Sequence, residues 1–291
     1  MQTYTPDILI PRVARLGEGP VWDDAGQTLY YTDILSDVLY VCPQSGNGAA
    51  IELNQHLGCF ALRQGGGFVL GMSAGIYLRS PEGRMEKLPH PEWNALVRAN
   101  DGKCDPAGRF WCGTSDEVEG VCEGGLYVIT PEGRCARLLS GLRCANGLAF
   151  AGDTVYFIDS PSRCVMRYTF DSEALALHEG KPVILIDPAH GLPDGMTMDE
   201  EGMLWVAHWG GGFVGRYDPR SGALLARVEV PASQTSSCCF GGRDGRTLFI
   251  TTAAVGKEHE PHAGKVFAVE LPVGGKGAWR FGDGRQRRLL P

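Results

Sequence analysis

Several things are missing from this 291-residue chain. No apolar run approaches the roughly 20 residues that a membrane-spanning helix needs, and Val183–Ile186 is typical of the longest. That excludes a helical anchor and argues against a membrane partner. The opening stretch MQTYTPDILIPRVARLG has no charged segment followed by an apolar one, so we expect no signal peptide. The 10 cysteines include no CxxC pair, which removes a zinc ribbon on spacing. Without an export signal, free thiols in a reducing cytoplasm are the expectation. Positive charge is scarce: 27 Lys+Arg stand against 34 Asp+Glu, a net −7, too acidic for a surface that must neutralise phosphates. Helical periodicity is almost absent, with only 91–98 and 172–179 as short candidates. What the chain does have is glycine, 41 residues of it, spread without a collagen-like run and placed before short apolar stretches. This is the composition of many tight turns between short strands.

The glycines mark a repeat. DDAGQTLYYTD, RQGGGFVLG, DPAGRFWCGT, AGDTVYFIDS, DEEGMLWVAH and GRDGRTLFITT share one pattern, a polar turn and then an apolar, often aromatic, strand. Their turn glycines, Gly26, Gly66, Gly108, Gly152, Gly202 and Gly245, lie 40, 42, 44, 50 and 43 residues apart. The longest interval holds 172–182, read as a surface insertion. Each unit continues into a second strand and turn, as in GLYVITPEG and FVGRYDPRSG. Four short strands per unit and six units predict an all-β, six-bladed β-propeller spanning 1–291 as one domain. A solenoid would need atypical caps, and the terminal units are ordinary. An unclosed ring would leave a bare sheet edge. The segment DILIPRV (7–13) therefore should supply a strand to the last blade.

A propeller brings equivalent positions of its units together at the axis. The slot just ahead of each unit's innermost strand holds Glu18 in unit one, Asn100 and Asp101 in unit three, Asn146 in unit four and Asp194 in unit five. Unit two offers Gly58 or Cys59, and unit six Ser236 or Ser237. Turn chemistry alone accounts for Asp, Asn and Gly but does not favour Glu18. Three carboxylates held close together repel unless a cation neutralises them, so the pattern points to a bound divalent ion. Oxygen donors favour Ca²⁺, Mg²⁺ or Mn²⁺ over structural zinc, and few protein ligands leave open positions for water or substrate.

LGEGPVWD (16–23), RANDGKCDPAGRFWCGT (98–114), CANGLAF (144–150), LPDGMTMDEEGMLWVAHWGG (192–211) and SSCCFGGRDGRTLFITTA (236–253) carry a resemblance. The chain resembles the SMP-30/gluconolactonase/regucalcin-like family over essentially its whole length, through five separated motifs in order. The resemblance implies a propeller with one catalytic divalent metal (Ca, Mg, Mn, Zn or Fe) that hydrolyses a sugar lactone to its aldonic acid in carbohydrate catabolism. It places the metal on Glu18, Asn146 and Asp194, with Asp194 as the general base. It places substrate on Arg98 and Asn100, with Asp101 adjacent. A further substrate-contacting glutamate falls on Glu117, with Asp116 and Glu119 as neighbouring registers. His208 stands where many members keep another residue before W-G-G, either touching substrate or packing in the core.

Other motifs have plainer readings. Gly71–Gly75 fits G-x-S-x-G, but apolar strand-like runs on both sides make it a hairpin turn, not a nucleophile elbow. His259 and His262 form H-x-x-H around a proline and read as a loop. Trp22, Trp111, Trp205 and Phe249 sit at strand positions as blade packing; Trp209, near the glycine-rich mouth, is placed to stack on a sugar. Two other functions compete with sugar lactonase: a different metal-dependent esterase or phosphotriesterase on the same site, and a non-catalytic calcium-binding propeller. Arg98, Asn100 and Asp101 favour a polyhydroxylated small molecule. The oligomeric state stays open.

Overall fold

A computed structural model describes residues 1–46, 48–88, 95–117 and 120–282. It contains six antiparallel sheets arranged as the repeat predicts, a six-bladed β-propeller. Counted along the chain, the innermost strands are Gly17–Asp23, Leu57–Leu62, Val97–Cys104, Ala145–Ala151, Leu192–Met198 and Thr235–Gly241. In blades one to five each is followed outward by three strands in sequence order. Blade six takes its second and third strands from Thr247–Thr252 and Val266–Glu270 and its outermost from Asp7–Ile10, the closure expected from DILIPRV. Blade five carries a strand that was not anticipated: Gln2–Tyr4 pairs in parallel with Leu224–Glu229.

The alternation of the strands explains where the core lies. Side chains on one blade face meet those of the next blade, and the buried apolar residues form six clusters, each spanning two neighbouring blades. Trp111 packs between blades three and four, Trp205 between five and six, and Trp22 stacks on Phe249 where blade six meets blade one. Two turns that open on Asp pin their tryptophans. Asp105 Oδ2 accepts from Trp111 Nε1 (2.9 Å) and Arg109 Nε (2.6 Å), and Asp199 Oδ2 from Trp205 Nε1 (3.0 Å) and Arg216 Nε (2.7 Å).

Neither helical candidate is a helix where it is described. Residues 91–94 fall outside the described residues, and Val97 and Arg98 belong to a strand. In 172–179, Asp171 Oδ1 accepts from the N–H groups of Glu173 and Ala174, and Leu175 turns left-handed at φ 51°, so the chain reverses. The stretch lengthens the outer hairpin of blade four; it is mostly exposed, as a surface insertion should be, with Leu175 buried beneath it. Among the described residues the helices are three single 3-10 turns. No helix there is long and apolar enough to cross a membrane. Gly71–Gly75 spans a β-hairpin between Phe68–Met72 and Gly75–Arg79, as expected. All ten cysteines are free thiols.

Candidate active site

The slot residues lie within the inner strands, not ahead of them, and each inner strand slips register against its neighbour at or beside that slot. The slips fall between Glu18 and Val21, Leu57 and Cys59, Ala99 and Gly102, Asn146 and Leu148, Pro193 and Met196, and Thr235 and Ser237. A bulge re-aims a side chain that regular pleating would send to a blade face. The glycine after the slot has two uses. Gly19 takes φ +50° in open space. At Gly195 a Cβ would lie 2.0 Å from Ser237 Oγ, so there the glycine admits the neighbouring inner strand.

The outcome is a cavity of about 220 Å³ at one end of the axis, with Glu18, Arg98, Asn100, Asn146 and Asp194 in its wall. Leu16, Cys144, Ser160, Leu192 and Trp209 complete the lining. A hydrogen-bond chain fixes the amides. Arg98 NH1 donates to Asn100 Oδ1 (2.7 Å), Asn100 Nδ2 to Asn146 Oδ1 (3.0 Å), Asn146 Nδ2 to Ser160 Oγ (2.8 Å), and Ser160 Oγ to Pro193 O (2.6 Å). Because Asn146 spends its amino group on Ser160, its carbonyl oxygen faces Asn100 and not Ser160.

Asp101 is 5% exposed and lies outside the cavity's lining, though electrostatically close to it. Its Oδ1 accepts from Gly102 N–H (2.7 Å), and its Oδ2 is buried with no partner. Glu117 stands beside Arg98, with Oε1 3.5 Å from Nε. Asp116 turns the other way and accepts from the N–H groups of Cys122 and Glu123, while Glu119 lies outside the described residues. His208 does not line the cavity. It is fully buried, stacks on Phe213 with ring centroids 4.0 Å apart, and engages His190 O through Nδ1 and the Tyr217 hydroxyl through Nε2, both at 3.0 Å. Burial holds its pKa down at about 3, so the ring is neutral. Of the remaining slots, Cys59 packs with its Sγ 3.6 Å from Cys112 Sγ, and Ser236 donates to Gly17 O.

Four lining residues were missed by the sequence reading, the apolar Leu16 and Leu192 and the polar Cys144 and Ser160. Cys144 lies two positions before Asn146, hence on the same strand face, and its Sγ is 3.5 Å from Asn146 Nδ2. The CANG string held that signal. Ser160 sits across the hairpin and had none.

The electrostatics of this cavity are those of crowded acids. Burial, with the added repulsion of Asp101, pushes Glu18 up to about 8, against smaller opposing effects of Gly19 N–H and Arg98. Burial and then the charges of Glu18 and Asp101 push Asp194 well above the usual carboxylate range. Among the described residues no three His, Cys, Asp or Glu side chains are grouped closely enough to hold an ion by themselves. The available set is two carboxylates with the Asn146 amide oxygen. These hard oxygens, in mutual repulsion and with an orphaned carboxylate oxygen on Asp101 nearby, fit a divalent cation.

The comparisons with known proteins bear on the same residues. The sequence profile of the SMP-30/Gluconolactonase/LRE-like region matches 16–254, from just before Glu18 to beyond blade six's second strand. The chain is 36% identical over 273 residues to the 6-deoxy-6-sulfogluconolactonase of Pseudomonas putida, covering 89% of this chain and 92% of that one. It is 34% identical over 280 residues to regucalcin of Danio rerio, covering 92% and 95%. A solved structure described as a calcium-binding protein, regucalcin, from Agrobacterium tumefaciens superposes with a TM-score of 0.89 at 27% identity, over 97% of this chain and 99% of that one. With its motifs in register from blade one to blade six, the chain belongs to the SMP-30/gluconolactonase/LRE-like family.

Proposed function

We propose that the protein hydrolyses a sugar lactone to the corresponding aldonic acid, using one divalent cation held by Glu18, Asn146 and Asp194. The observation that carries this reading is the joining of those three oxygen donors with Arg98 and Asn100 around one cavity. Relatives named as lactonases support it.

A lactone is a cyclic ester. Its hydrolysis needs an oriented water, an acceptor for the water's proton and positive charge near the carbonyl oxygen. A bound cation supplies the positive charge and acidifies water in its neighbourhood. Asp194 accepts the proton through whichever carboxylate oxygen is not engaged with the cation. Burial and the charges of Glu18 and Asp101 raise its pKa, and a cation on the site would oppose that rise and keep the carboxylate ionised, ready to accept. Arg98 and Asn100 bind ring hydroxyls, and Arg98 also faces developing negative charge. Glu117 offsets part of the Arg98 charge, which suits a neutral polyhydroxylated ring. Trp209 offers a flat face to the sugar.

The test is proton release on aldonolactones, measured with and without chelator. Chelation should abolish turnover and a divalent cation restore it. Asp194→Asn and Glu18→Gln should each lower kcat by about a hundredfold or more while the β-sheet circular dichroism is kept. Full turnover in both variants contradicts the assignment. Calcium binding with no turnover on any lactone or ester would leave a calcium-binding propeller, the reading that the description of the Agrobacterium structure favours.

A further inference from the structure

The hydrogen-bond chain through the cavity has a direction, and chemistry fixes both of its ends. It starts at the Arg98 guanidinium, which can only donate, and finishes at the Pro193 carbonyl oxygen, which can only accept. Two amides and one hydroxyl, those of Asn100, Asn146 and Ser160, stand between them. Asn100 Nδ2 gives one proton to Asn146 Oδ1 and the other to Ala145 O, both at 3.0 Å.

Ser160 decides the step at Asn146. It opens the 3-10 turn Ser160–Ser162 that follows blade four's second strand, Thr154–Asp159, and is 5% exposed. Its backbone N–H donates to Cys144 O (3.0 Å), which holds it beside the inner strand of the same blade. Its single hydroxyl proton goes to Pro193 O (2.6 Å), the carbonyl just before Asp194. Only lone pairs are left for Asn146, so the amide must turn its amino group to Ser160 (2.8 Å) and its oxygen toward Asn100. Asn100 uses one lone pair of that oxygen and leaves the second for an ion. Cys144 Sγ, 3.5 Å from Asn146 Nδ2, is too weak an acceptor to set the orientation by itself. The two ends of an amide are alike in shape and opposite in polarity: a cation is attracted by the oxygen and repelled by the amino group.

We propose that Ser160 is a positioning residue for the cation, acting through Asn146: it selects the oxygen end of that amide for the ion. The proposal rests on the reading of Asn146 as a ligand. Without the Ser160 hydroxyl the amide can present either end, and one of them opposes binding. Partners that orient a metal ligand in this way are typically worth about 10–100-fold in metal affinity.

Calorimetric titration of the metal-free, full-length protein with Ca²⁺ and with Mn²⁺ tests it. Ser160→Ala should weaken binding roughly tenfold or more. Asn146→Asp supplies the control, because a carboxylate has two equal oxygens and no end to select. In that background Ser160→Ala should change the affinity by less than about threefold. A role confined to holding Pro193 would cost the same in both backgrounds, and that result overturns the proposal. So does unchanged affinity in Ser160→Ala where Asn146→Ala is weakened. If Asn146→Ala binds as tightly as the wild type, or the wild type binds neither ion, the ligand reading fails and this inference falls with it. Thermal unfolding checks that each variant is folded. Should Ser160→Ala not fold, Ser160→Cys makes the same comparison, its thiol being a weak acceptor.

Discussion

Glu18 and Asp101 each accept the N–H of the glycine that follows, and the Gly195 N–H favours the ionised form of Asp194 in the same way. One backbone donor per carboxylate does not offset burial. Unfolded, Glu18 titrates near 4.5; folded, near 8. Below about 4.5 both states keep the proton and no penalty arises. Between 4.5 and 8 the unfolded chain releases a proton that folded Glu18 retains, so stability falls as pH rises, and the penalty is full above about 8. Asp194 adds in the same direction. Chelated protein should therefore lose roughly 1–3 kcal/mol between pH 5 and pH 8, a Tm decrease of about 2–6 °C. A divalent cation should raise Tm more at pH 8 than at pH 5. A flat Tm profile, or a larger cation effect at pH 5, contradicts this account. His208 belongs to the same scale with the opposite logic. Its contacts are internal, so His208→Ala should lower stability by about 2–4 kcal/mol through the lost stack on Phe213 and the unpaired Tyr217 hydroxyl, with KM for a lactone unchanged. A raised KM at unchanged Tm would make it a substrate contact.

The inner strand is the element that converts the repeat into a site, and its bulge and glycine act together. Gly195→Ala should destabilise by about 1–3 kcal/mol, because the added methyl meets Ser237, and Ser237→Gly in the same chain should recover much of the loss. Urea midpoints of the two single variants and the double measure the coupling; additive losses would show that the two strands do not clash there. Much of this architecture was legible in the sequence. The turn glycines gave six units, and Glu18, Asn146 and Asp194 stood out because a carboxylate or amide recurred at one offset. The bulges were not legible, since a register slip depends on the partner strand. Gln2–Tyr4 was hidden because three residues carry no alternation and pair in parallel with a strand more than 200 residues away. The hairpin at 172–179 imitated a helix because Glu173, Ala174, Leu175, Ala176 and Leu177 are good helix formers behind a cap-like Ser172, while the Asx turn at Asp171 and the left-handed Leu175 decided the matter. His208 could not be sorted from sequence because its neighbours Phe213 and Tyr217 follow after a turn that reverses the chain.

At the scale of the molecule, six interblade clusters hold the ring, and the cluster joining blade six to blade one has Ile10 packed against it. Removing residues 1–12 takes away the outermost strand of blade six and the added strand of blade five, exposing two edges. We expect that deletion to cost about 2–4 kcal/mol and to promote self-association, seen as a lower unfolding midpoint and a larger species on gel filtration. Removing only residues 1–5 should cost less, because blade six then keeps Asp7–Ile10. Equal effects would mean that closure does not depend on that strand. Blade six also sets an order of events during biosynthesis. Its outer strand leaves the ribosome before any of blades one to five, and the other three strands of blade six, from Thr235 to Glu270, only after them. At translation speeds of about 5–20 residues per second, Asp7–Ile10 must wait on the order of tens of seconds with its hydrogen-bonding edge unclaimed. Nascent chains therefore pass through an open arc of blades, and the ring becomes topologically complete only once Val266–Glu270 has been made.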